Sequence, residues 1–390
     1  MMKKFLLMAA VAFLCVNSAF LYGETSVWKI SNGDNVLYLG GTIHLLRESD
    51  YPLPQAFEAA FEQSDILVFE ASVDDFPASL NSGPVRAFYE ECAQITAMME
   101  QNDEIGRFVA LTTQLNAMIT QYENAYHSIS DQTIPLTDHE QEIRGEIITI
   151  AFAIQKMVQR EDIAAYLETA RNILVLMQEN DDLKFITNLM NPDYTSLEVI
   201  FSPELFGILA SLCETYRYPL ENIQFLKPYV AYSALETYIV RQFAKADGVD
   251  MFFQKKAKEY GKQIEYFETV EFQYDLLANL GSEYGESYYA YLFRELESSE
   301  DIEREFDQMA DVWRRGEAIA ILEDVLYVKE HFPAVYNAMI ADRNNAWIPV
   351  IESYLKTRSV EFVLVGAAHL FGPDGLLPQL ETKGYKIEQQ

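Results

Sequence analysis

The chain is short of cysteine, histidine and positive charge. Its 390 residues hold three cysteines, five histidines and 29 lysines and arginines against 60 acids, a formal charge of −31. Such a surface repels phosphate backbones, which excludes nucleic acid as an expected partner. Three cysteines cannot make a disulfide framework: past Cys15 only Cys92 and Cys213 remain, as a single disulfide or as two semi-buried thiols. Apolar runs of membrane-spanning length are missing beyond the N-terminus, so the mature chain is expected without a transmembrane span. Low-complexity linkers are missing too, and with 49% hydrophobic residues the chain is a folded protein. The acids sit in helical stretches such as Glu295–Asp307 and read as a solvated face.

What is present begins with a leader. Lys3 and Lys4 precede an apolar run from Phe5 to Val16, and the small residues Ser18, Ala19 and Gly23 follow. This is the pattern of a secretory signal over residues 1–23, cleaved after Ala19 or Gly23, and implies a secreted or periplasmic protein. The alternative is a lipoprotein anchored at Cys15, although Ala12-Phe13-Leu14 lacks the small residue that normally precedes a lipidated cysteine.

One device occurs twice. Val36–Leu39 is an apolar strand that breaks at Gly40-Gly41 and delivers His44, and Phe362–Val365 breaks at Gly366 and delivers His369. Each is a strand followed by Gly-x-x-His. Trp28–Ile30 and Val36–Leu39 flank polar turn formers and read as a hairpin. Pro54 opens a helix with Ala56, Phe57, Ala60 and Phe61 on one face, and Ile66–Phe69 is a continuous apolar strand ending in Glu70. Residues 84–225 lose the strand pattern and show helical periodicity, as in Ile147–Val158 and Ile163–Met177. A second α/β pattern runs from 226 to the end. It comprises a helix from Gly248 to Tyr260, a strand Gln263–Phe267 closed by Glu268, more helix through Arg343-Asn344, the second Gly-x-x-His, a helix Leu376–Thr382 and a last strand near Tyr385–Ile387. The expected fold is α/β, α+β by content. Its central sheet is built from N-terminal (24–83) and C-terminal (226–390) segments, with a large, mainly helical insertion at 84–225.

In open α/β sheets ligands gather at the carboxyl ends of strands, where His44, Glu70, Glu268 and His369 are expected. Two imidazoles and a carboxylate suit Zn, Mn, Co or Fe with positions open for water, and a second glutamate suits a general base. The plain alternative is that each histidine caps or packs. Arg343 either clamps a substrate carboxylate or pairs with one of the many acids. Asp138-His139-Glu140 places neighbouring side chains on different helix faces and is a poor ligand set; His127 carries no motif.

The sequence also resembles the TraB/PrgY/GumN family, which includes the animal Tiki proteins. The resemblance rests on Trp28-Lys29-Ile30, Leu39–Leu46, Tyr51-Pro52-Leu53-Pro54, Ser64-Asp65 through Glu70, Lys227-Pro228-Tyr229 and Gly248-Val249-Asp250. It continues through Gly261-Lys262, Phe267-Glu268-Thr269, Arg343-Asn344, Val365–Leu370 and Gly375-Leu376-Leu377. It covers both ends and the 225–270 region and is weakest in the acidic middle. It implies a metal-dependent hydrolase, a metallopeptidase acting on a peptide or secreted protein. His44, His369 and Glu70 would be the ligands of a divalent transition metal (Mn, Co or Zn), and Glu70, Glu268 and Arg343 the catalytic candidates. The competing readings are a binding protein that sequesters a peptide or haem, and a metal-independent esterase using Glu70 and His44.

Overall fold

The computed structural model describes residues 25–72, 101–127, 138–180, 188–192 and 195–390, with scattered helical positions between 87 and 99. The leader with Cys15, and Cys92, lie outside the described residues, so neither the signal nor a Cys92–Cys213 pairing has a structural account. Cys213 is a buried free thiol, and burial pushes its pKa up to about 11.

Six strands form one mixed sheet. They are β1 (Val27–Asn32), β2 (Asn35–Thr42), β3 (Ile66–Phe69), β4 (Gln263–Tyr266), β5 (Glu361–Gly366) and β6 (Lys386–Gln389), in the order β4-β3-β5-β2-β1-β6. β1 and β2 are the expected hairpin, with Asn32 opposite Asn35. β2, β3, β4 and β5 are mutually parallel, and β1 pairs antiparallel with β2 and β6. The α/β class and the sheet built from both chain ends are as the sequence implies. Phe362, Val363, Leu364 and Val365 are all fully buried, so both faces of central β5 are covered, which explains its unbroken apolar run.

The chain divides into two compact units, residues 1–76 with 188–390, and residues 77–187. In the first, α1 (Gln55–Gln63) starts after Pro54 and buries Phe57, Ala60 and Phe61. The second contains α2 (Asp103–His127), α3 (Asp138–Met157) and α4 (Glu161–Glu179), joined by Ile105, Phe108, Met157 and Ile163. His127 and His139 belong to α2 and α3; their side chains are outside the described positions. The first unit resumes with α5 (Pro203–Tyr216), α6 (Pro228–Val240), α7 (Val249–Tyr260), α8 (Val270–Asn279), α9 (Glu286–Glu295), α10 (Ser299–Arg314), α11 (Ala318–His331), α12 (Asp342–Tyr354) and α13 (Leu376–Thr382). Phe57 of α1 packs on Phe253 of α7, Trp313 of α10 and Phe362 of β5, an aromatic seam holding three helices to the sheet. Among the described residues no helix is long and apolar enough to cross a membrane.

One buried group lies at the sheet end away from the histidines. Glu361 opens β5 and is 1% exposed, and its Oε2 has no hydrogen-bond partner. Burial, with help from the carboxylates of Glu265 and Asp65, pushes its pKa up from 4.5 to about 7. The folded chain therefore holds this proton more tightly than the unfolded chain, and stability falls as pH rises from about 4.5 to 7. Glu361→Gln should flatten that slope and stabilise the fold by about 1–3 kcal/mol at pH 8. Urea midpoints at pH 5 and pH 8 measure it, and a variant no more stable at pH 8 contradicts it.

Candidate functional site

Because β2, β3, β4 and β5 run in one direction, their C-terminal ends all reach the same edge of the sheet. His44 comes just after β2, Glu70 after β3, Glu268 after β4 and His369 after β5. Arg343 comes to this edge from the start of α12, directly after a π-type turn at Asn337–Ala341.

Arg343 is 6% exposed, and all five of its N–H donors are used. Nε donates to Glu268 Oε1 at 2.9 Å, and one terminal nitrogen donates to Glu268 Oε2 at 2.8 Å and to Glu70 Oε2 at 2.5 Å. The other donates to the Met339 carbonyl at 3.2 Å, inside the π-type turn, and to His369 Nε2 at 3.1 Å. The guanidinium also lies 4.8 Å from the ring centroid of Trp347. Of the two roles open to Arg343, the geometry has the pairing one.

Glu268 is equally committed. Beyond Arg343 it accepts from Trp347 Nε1 at 3.1 Å and Gln273 Nε2 at 3.1 Å. Glu70 accepts the Gly366 N–H on Oε1 at 2.6 Å. Burial opposes its charge, but the ring of His369, Arg343, His44 and that N–H draw its pKa down to about 2. It is a carboxylate over the whole working range, and a weak base.

The two histidines differ sharply. Asn344 gives its Nδ2 protons to the carbonyls of His369 and Asp374 at 3.0 and 2.8 Å, so its Oδ1 must be the acceptor facing His369 Nδ1 at 2.7 Å. His369 is therefore protonated on Nδ1, and its Nε2 is the lone pair that Arg343 meets. Burial holds its pKa down, to about 4, and the ring is neutral near pH 7. The His44 side chain is 76% exposed. Its Nδ1 faces Asp250 Oδ2 at 3.0 Å, and Thr42 donates to Asp250 Oδ1 at 2.7 Å. The Asp250 charge and hydrogen bond pull the His44 pKa upward. Nε2 makes no hydrogen bond among the described residues and is the free end of a His–Asp pair.

Asp250, Thr42, Asn344 and the Gly366 N–H were not marked as site residues by sequence reasoning. Asp250 stands in the first turn of α7, where the helix dipole favours a carboxylate. Gly248 lets it approach: a Cβ there would lie 2.3 Å from the His44 backbone. A short pair of strands, Leu45–Leu46 with Ala246–Asp247, and the Val249 N–H on the Ile43 carbonyl at 3.0 Å lock the two loops together. The visible signal was the Gly248-Val249-Asp250 turn.

The donor set can be tested for a metal. Both histidines tie Nδ1 to an oxygen and leave Nε2, the arrangement of metal-binding imidazoles. However, His369 Nε2 and Glu70 Oε2 already face a guanidinium, and among the described residues no three His, Cys, Asp or Glu side chains converge as a metal-holding group. As arranged, the set fits Arg343 as its cation and not a metal beside it.

A cavity of about 160 Å³ is lined by His44, Glu70, Asp250 and Arg343 together with Leu276, Leu277 and Met339.

Comparison with known proteins adds a family match. The model of the TraB/PrgY/gumN family matches residues 26–187 and 159–389. No curated protein and no solved structure matches the chain.

Removing the guanidinium leaves two buried carboxylates without a cation. Arg343→Met should cost about 3–5 kcal/mol in urea unfolding. Adding Glu70→Gln and Glu268→Gln to it should restore about half of that or more; no recovery would show that the ion pairs are not what Arg343 supplies. Folded Arg343→Met should also bind Co²⁺ or Zn²⁺ at least about tenfold more tightly than the parent, since two freed carboxylates then attract the ion. Equal affinity by titration calorimetry would contradict the competition between guanidinium and metal.

Proposed function

The chain belongs to the TraB/PrgY/gumN family, and we propose that it is an extracytoplasmic hydrolase of peptide substrates with His44 as its proton-transfer group. The observation that carries this is the His44–Asp250 pair. An exposed imidazole, held through Nδ1 by a buried carboxylate, presents a free Nε2 at the mouth of a cavity. The basic leader and apolar run at Lys3–Val16 support the location.

In this reading neutral His44 takes a proton from water as the water oxygen bonds to the substrate carbonyl carbon. Asp250 keeps the ring in the required tautomer and stabilises the imidazolium that forms. His44 then gives the proton to the leaving nitrogen as the C–N bond breaks, which completes hydrolysis. Glu70 carries a permanent negative charge near the imidazolium and favours it further. The catalytic role that the resemblance implies for Glu70 passes to His44, because a carboxyl held near 2 has little affinity for a proton. Arg343 and Glu268 hold the frame.

A base must be unprotonated, so cleavage should rise with pH through the His44 pKa, above the ordinary 6.5. His44→Ala should lower kcat by about 10²–10⁴ with the fold intact by circular dichroism. Asp250→Asn should move the rising limb of the pH profile downward toward 6.5, and the His44 ring titration followed by NMR should move with it. Turnover that survives His44→Ala would remove this mechanism.

A further inference from the structure

The catalytic reading uses only one half of the cavity. Apart from the amides of Gln254 and Gln273, the rest of its lining is apolar, with Leu276 and Leu277 of α8, Met339 of the π-type turn, and Ala71 beyond β3. Leu276 and Leu277 are partly exposed and belong to neither of the large hydrophobic clusters of this unit. Two adjacent leucines on a helix, outside both of those clusters and lining a cavity beside ionised groups, offer an apolar wall to a partner. The volume, about 160 Å³, is close to the roughly 150 Å³ of an apolar cavity that admits benzene. It holds one side chain.

The polar half limits which side chain. Glu70 and Asp250 face the cavity as carboxylates, and every donor of Arg343 is committed, so an acidic group entering here meets negative charge and no free guanidinium. A lysine head finds Glu70 already accepting from Gly366, Arg343 and Gln273, and Asp250 already held by Thr42 and His44. An apolar side chain needs no hydrogen-bond partner among these groups and covers the leucines.

We infer that the site recognises a peptide by one apolar side chain of leucine, methionine or phenylalanine size, seated against Leu276, Leu277 and Met339. This rests on the hydrolase reading only for what happens to the bond beside that side chain.

The test uses full-length His44→Ala, which keeps the apolar wall and removes turnover. Its affinity is measured by fluorescence anisotropy for capped, labelled hexapeptides of glycine and serine that carry one variable residue: Leu, Met, Phe, Ala, Lys or Asp. Leu, Met and Phe peptides should bind at least tenfold more tightly than the other three. Adding Leu276→Ser and Leu277→Ser should abolish the difference; both positions are partly exposed, and folding is checked by circular dichroism. Uniform or absent binding across the series, or a preference that survives both serines, overturns the inference. Apolar-selective binding with no cleavage of the same peptides by the parent chain would refute the hydrolase reading and leave this one standing. Cleavage without side-chain preference would do the reverse.

Discussion

A single buried cation determines where everything else at this sheet edge must be. Arg343 is almost without solvent, so each of its donors needs an acceptor inside the protein. It finds them on the turns after β3, β4 and β5 and on the π-type turn before its own helix. Four separate pieces of chain are thereby fixed to within hydrogen-bond tolerance of one another. The wider π-type turn belongs to this arrangement, since it is the Met339 carbonyl within it that takes the guanidinium proton. The cost of desolvating the charge is offset because two carboxylates, a neutral imidazole and an indole face surround it.

That constraint explains why a repeated motif does two jobs. Both histidines stand three residues after a glycine at a parallel strand end, yet they meet opposite surroundings. His369 lies against Arg343, a fixed positive charge, and burial keeps it neutral, so its lone pair serves as an acceptor. His44 lies beside Asp250, a fixed negative charge, and is open to water, so its proton affinity rises. The pair is pushed apart in proton affinity by environment alone, the usual way in which chemically identical groups are made unequal.

Much of this was legible in the residues. Val36–Leu39, Ile66–Phe69 and Phe362–Val365 are apolar runs bounded by glycine or charge, Gln263–Phe267 is a mixed run closed by Glu268, and all four lie on observed strands to within a few residues. Once they are parallel, His44, Glu70, Glu268 and His369 share an edge by topology, which is why reasoning from strand ends could group them across the chain. The Asp250 contact could not be read in this way. It depends on Gly248 pressing against the His44 backbone, a tertiary approach that leaves no periodic trace. Nor could the saturation of Glu268 and Arg343 be read, because composition shows many acids and does not say which ones meet a buried arginine. In an acidic chain any Arg–Glu pairing is ordinary at the level of sequence; only burial distinguishes this one from a solvated surface pair.

The division of labour is then set by donor and acceptor counts. Glu268 accepts from Arg343, Trp347 and Gln273, and Arg343 has no proton left to give, so neither has capacity to spare for a substrate. His369 has both ring nitrogens engaged. Glu70 is held ionised by the groups around it. By elimination the group with a ring nitrogen unpartnered among the described residues, solvent access and a proton that it can give and take within reach of ordinary pH, its pKa raised to about 9, is His44. The rigid members make that freedom useful. Thr42 and the first turn of α7 hold Asp250, Asp250 holds the ring, and Glu70 stands fixed nearby, so the one free nitrogen is presented in a defined place and direction.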